Sequence, residues 1–169
     1  IFMIKQIREC IPDHWYIFVK ENFWQLTNKD QSLGERSRSK SFYKEINNFH
    51  LTKFVSMNFL QWDLIDNAMA VATATGSSGW ESLVRGIPVL LFGHAWYKEC
   101  EGVYYIHSKN RVKKVINKLE NGLIIDSNKI RLYIHVLEKY CYKGYIDMNY
   151  ENNSNISYDD NVGNIVESI

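Results

Sequence analysis

Cysteine is scarce in this chain. Cys10, Cys100 and Cys141 are odd in number, widely spaced and without a CxxC pair, which argues against a disulfide framework and a thiolate zinc site and suits a reducing cytoplasm. Charge of one sign is lacking too. Twenty basic and nineteen acidic side chains leave a net charge of +1, so no global basic field draws the chain to nucleic acid, and any phosphate recognition must be local. No apolar run approaches the roughly eighteen residues of a membrane span, and the amphipathic first ten residues, with Lys5, Arg8 and Glu9, do not read as a signal peptide. Internal repeats, an HExxH spacing, a GxGxxG fingerprint and a GxSxG elbow are all missing, which leaves no expectation of a metal, a bound cofactor or a serine nucleophile.

What is present suits one globular domain: 169 residues with a 46% hydrophobic fraction. Ile1, Ile4, Ile7 and Ile11 share a helical face that ends at Pro12, and 15–20 (WYIFVK) reads as a buried strand. A chain that opens on Ile inside a helical pattern is expected to be the later part of a longer polypeptide. Residues 22–40 read as a polar loop carrying Arg36, Arg38 and Lys40, a cluster with a solvated reading and an acceptor-phosphate reading. Phe42, Tyr43, Ile46 and Phe49 resume helical spacing, 53–57 is a short strand, and 63–67 is a brief helix. Strands follow at 70–75, 89–92 and 102–107. Val112, Val115, Ile116 and Leu119 line a helix that stops at Asn121-Gly122. A last helix over 130–142 is expected to bury Leu132, Val136, Leu137 and Tyr140. The alternation predicts an α/β fold, a Rossmann-like parallel sheet flanked by helices, over 1–147. The polar residues 148–169 are expected to form a mobile tail.

The most informative segment is 70–97, which reads as strand, Gly-Ser turn, helix opening near Trp80, glycine stop and second strand. Thr75, Gly76, Ser77, Ser78 and Gly79 fall at the carboxyl end of a strand, where free helix amides and two hydroxyls suit a phosphate. Gly76 and Gly79 are expected to be glycine for backbone reasons. Ser78 and Glu81 also have capping-box spacing, so both carry a structural reading beside the ligand one. Gly86 before Ile87-Pro88 reads as a helix stop. Lys20 and Glu21 end the first strand, and His94 and Tyr97 follow the fourth; Trp62, Tyr104 and Tyr105 read as core or interface residues.

With TATGSSGWESLVRGIPVLLFGHAWY at 73–97, HWYIFVKEN at 14–22, RSKSFYKEI and WDLIDNAMAV in view, the chain resembles the bacterial capsule polysaccharide biosynthesis proteins, the family containing Kdo transferases. The resemblance implies one half of a GT-B glycosyltransferase, the carboxyl-terminal half that holds a nucleotide sugar, CMP-Kdo. Its partners would be a glycolipid or polysaccharide acceptor and an amino-terminal half, or other capsule assembly proteins, at the inner face of the cytoplasmic membrane. It also moves Lys20 toward donor binding and implies a catalytic base outside this chain, while their places at strand ends make Glu21, His94 and Tyr97 candidates for the nucleotide sugar and the place of Glu81 after the Gly-Ser turn makes it a candidate for a ribose hydroxyl or an acceptor group. One departure stands out: the family's His-Pro after Lys-Glu is Asn22-Phe23 here, which removes a titrating imidazole. A GT-B-type epimerase and a non-catalytic assembly or export domain are the alternatives. His94-Ala95-Trp96-Tyr97 after Gly93 speaks against the epimerase.

Overall fold

The computed structural model describes residues 1–21, 38–146 and 148–168. Asn22, Phe23, Arg36 and most of the expected 22–40 loop lie outside the described residues. The chain divides into two compact units, Ile1–Ser127 and Asn128–Ile169.

In the first unit, helices and strands alternate as the hydrophobic pattern predicts. The order is α1 (Phe2–Arg8), β1 (Ile17–Val19), α2 (Lys40–Asn47), β2 (Thr52–Phe54), α3 (Gln61–Asp66), β3 (Val71–Thr73), α4 (Ser77–Leu83), β4 (Val89–Leu91), β5 (Val103–Tyr105) and α5 (Lys109–Glu120). β1 pairs with β2, and β3, β4 and β5 form a second ladder in that order, every pairing parallel. The single sheet expected from the sequence is therefore two parallel ladders among the described residues. Both border one core. Ile17 of β1, Ala72 of β3, Leu90 of β4 and Tyr104 of β5 pack with Ile7 of α1 and with Val112, Val115, Ile116 and Leu119 of α5. The α5 residues recur at the three- and four-residue spacing that puts them on one stripe. β4 is central to its ladder, and all three of its residues are buried, as its unbroken apolar run requires. The result is an α/β, Rossmann-like arrangement of parallel strands flanked by helices.

Two glycine stops behave as read. Gly86 adopts φ +79° and Gly122 φ +76°, a left-handed conformation that glycine alone takes without cost. At each, the next residue's amide reaches back to a carbonyl of the helix, Ile87 to Ser82 at 2.9 Å and Leu123 to Lys118 at 3.1 Å. Arg8 ties the exit of α1 to β1, donating to the Pro12 and Trp15 carbonyls at 2.6 Å each.

α6 (Ser127–Tyr140) starts on the last residue of the first unit and otherwise lies in the second, which also contains α7 (Met148–Glu151) and α8 (Tyr158–Glu167). The expected buried face of α6 is corrected: Leu132, Val136 and Tyr140 are exposed, while Ile130 is buried and Tyr133 and Leu137 are half-buried. The segment is apolar on more than one face, so spacing did not choose between them. The polar residues beyond 148 make side-chain hydrogen bonds at α8. Ser157 caps α8 by accepting from the Asp160 amide at 3.1 Å, and the buried Asn161 accepts from the Tyr145 amide at 2.7 Å and donates to its carbonyl at 3.0 Å.

Candidate functional site

The exit of β3 is built from its own polar side chains. Thr73 Oγ1 accepts from the Gly76 amide at 3.0 Å, and the chain then turns directly into α4 with Gly76 as N-cap. The helix thus opens at Ser77, three residues before the expected position. The capping box is not formed. Ser78 is the second helical residue and makes no side-chain cap, and its carbonyl accepts from the buried Ser82 hydroxyl at 2.5 Å. Glu81 turns instead to Ser77, whose hydroxyl donates to it at 2.9 Å, and to Gln61 of α3, whose amide donates to its other oxygen. Among the described residues no hydrogen bond engages the Ser77 or Ser78 amide. Thr75, Gly76 and Ser77 are exposed and Ser78 is half-buried, so this turn faces solvent.

Beneath the turn lies Tyr97, 1% exposed, its hydroxyl donating to the Gly76 carbonyl at 2.5 Å. Burial first, and the Glu81 carboxylate second, push its phenol above the ordinary value, so it remains a protonated donor. This explains Gly79. A Cβ there would run into the Tyr97 ring, with Cζ at 2.9 Å and Cε2 at 3.0 Å; packing against Tyr97 requires the glycine, and its backbone angles do not. Gly76, the N-cap, is extended, at φ −73° and ψ 156°, and needs no left-handed freedom. Tyr97 supports the turn from inside and does not lie on its open side. Beside it, Trp80 and Trp96 pack at a tilt of 51° with ring centres 4.6 Å apart.

The register aligns Thr73, Leu91 and Tyr105 across β3, β4 and β5, so all three strand ends share one edge. Gly93 brings the next segment against the turn: a Cβ there would sit 2.7 Å from the Ala74 carbonyl oxygen. His94 follows, exposed, with its Nε2 3.4 Å from the Tyr105 hydroxyl and the two rings 5.4 Å apart.

At the exit of β1, Lys20 donates to the Met57 and Phe59 carbonyls at 3.0 Å each. Residues 57–61 therefore connect Lys20 to Gln61, and through it to Glu81 and Ser77. Glu21 is nearly buried, with the Arg38 guanidinium 3.2 Å from Oε2; that oxygen has no aligned hydrogen bond among the described residues. Arg38 also lies 4.4 Å over the Phe42 ring, so this member of the expected basic cluster has partners. Arg36 lies outside the described residues.

Residues 3–130 match the family model of the capsule polysaccharide biosynthesis protein. The chain belongs to that family. No curated protein and no solved structure matches significantly. The matched span of this capsule family member takes in all five strands of the described residues and the whole β3 edge, and it places the chain in capsule polysaccharide biosynthesis.

Within this family member the structure brings Thr75, Gly76, Ser77, Ser78, Gly79 and Glu81 together on one turn, with Tyr97 below and His94 at the neighbouring strand end. Lys20 joins them through 57–61, whereas Glu21 faces Arg38. Sequence reasoning missed Gln61 and Gly93, which contact the turn only after folding, and Thr73, whose hydroxyl three residues before Gly76 was a readable turn signal. Trp62, expected in a core or interface, is 44% exposed and carries the Arg85 guanidinium 4.5 Å over its ring. Among the described residues no three His, Cys, Asp or Glu side chains are grouped to hold a metal, and no helix is long and apolar enough to cross a membrane.

Proposed function

We propose that Ile1–Ser127 is the donor-binding half of a GT-B glycosyltransferase of capsule synthesis and that it holds a nucleotide sugar, CMP-Kdo, by its phosphate. The observation that carries this reading is the solvent-facing turn at Thr75, Gly76, Ser77 and Ser78, with two unengaged amides and two hydroxyls at the carboxyl end of a parallel strand, in a capsule polysaccharide biosynthesis protein. Such amides stabilise an anion without a metal. On this reading His94 and Glu81 contact the sugar or ribose, Lys20 lends positive charge, and Gly79 and Tyr97 keep the turn in shape. The acceptor hydroxyl would lose its proton to a base from the acceptor half, while CMP leaves with its charge held at the turn. The acceptor would be a glycolipid or polysaccharide at the inner face of the cytoplasmic membrane.

Calorimetry with CMP and UDP tests the proposal. Preference for CMP supports it, preference for UDP turns it toward an epimerase, and silence with both leaves an assembly or export domain. The Ser77→Ala, Ser78→Ala double variant is expected to lose about thirtyfold in CMP affinity, since each of the two net hydrogen bonds contributes roughly 1 kcal/mol, while its melting curve stays close to the parent. Unchanged affinity rejects the phosphate placement.

A further inference from the structure

Beside the turn, the β3–β4–β5 edge carries a second group of side chains. Tyr105, at the end of β5, is contacted by the His94 ring at 5.4 Å, the His107 ring at 6.3 Å and the Lys98 ammonium, 4.4 Å from its ring centre. Three nitrogen bases thus surround one phenol in a chain whose net charge is only +1. The acidic group paired with Lys98 is Glu99, at 3.9 Å, its side chain 84% exposed. The Lys109–Glu9 and Arg85–Asp66 pairs, by contrast, close at 2.6 Å. A loose, solvated pair neutralises little of the lysine's charge. Neighbouring strands lie about 4.8 Å apart, so the ends of β3 and β5 are separated by roughly 10 Å, within the reach of one extended ligand.

We infer that Lys98 and His94, seated on Tyr105, form a second oxyanion subsite, so that the ligand of this edge carries two oxyanions, one at Ser77 and Ser78 and one beside Lys98. The inference rests on the nucleotide-sugar reading of the turn. A second phosphate and a sugar carboxylate share the required chemistry, and the probes separate them: CMP has neither, CDP adds a phosphate, and CMP-N-acetylneuraminate adds a carboxylate.

Calorimetry on the full chain is expected to show CDP or CMP-N-acetylneuraminate binding at least tenfold more tightly than CMP. Lys98→Gln should abolish that advantage while leaving CMP within twofold, and Lys98→Arg should retain it. Equal affinities for all three probes, or a Lys98→Gln loss shared by CMP, overturn the subsite. If no nucleotide binds, the donor reading fails separately, and inorganic pyrophosphate followed by NMR decides the subsite. Shifts of the His94 and His107 ring signals that vanish in Lys98→Gln uphold it. Unmoved signals overturn it.

Discussion

Gly79, read as glycine for the sake of its backbone, is held to glycine by a neighbouring ring. Its hydrogen fills the space against the Tyr97 ring, so Gly79→Ala should destabilise the chain by about 1–3 kcal/mol, the usual range for overpacking, seen as a lower urea midpoint. Gly93→Ala meets the Ala74 carbonyl, a backbone atom 2.7 Å away that cannot swing aside. That variant should lose both stability and CMP affinity, and normal CMP affinity would show that the 92–94 segment does not shape the turn. The polar candidates at 75–81 were legible because a strand, glycine, two serines and a helix are contiguous. Gln61 and Thr73 were less legible: the first reaches Glu81 across twenty residues, and the second spends its hydroxyl on a backbone amide.

Among the elements, α5 was read almost completely from its apolar stripe and glycine stop, and its start is set by one side chain. Ser108 accepts from the Arg111 amide at 3.3 Å, so Ser108→Ala should cost about 1 kcal/mol, typical of a lost N-cap, measured by urea unfolding against Asn or Asp replacements that retain an acceptor. α4 was read with the right residues and the wrong start. The two glycines suggested a flexible turn, but Tyr97 holds the Gly76 carbonyl and makes room only for Gly79, which lets the helix begin at Ser77. α6 was placed well and, Leu137 apart, turned wrongly, because Leu132, Val136 and Tyr140 offered an apolar row as good as Ile130 and Tyr133.

For the whole molecule, burial leaves a pH signature. It raises the Tyr97 and Tyr104 phenols above an ordinary 10.0 and the Cys10 and Cys100 thiols above 9.0. The folded chain therefore keeps protons that the unfolded chain releases. Their contribution is complete below the unfolded values and is lost as pH rises through the raised folded ones. The urea midpoint should hold from neutral pH to about 8 and fall from about 9 upward, with a shallower fall in Tyr97→Phe. A midpoint that climbs over that interval would contradict the assignment.

The strand–helix alternation, the helix stops and the strand-end turn were determined by the sequence itself, because hydrophobic period and glycine conformation act over a few neighbouring residues. The division into two parallel ladders, the face α6 buries and the alignment of Tyr105 with Thr73 were decided by tertiary structure. They depend on which distant side chains compete for the same volume, and no local pattern records that competition.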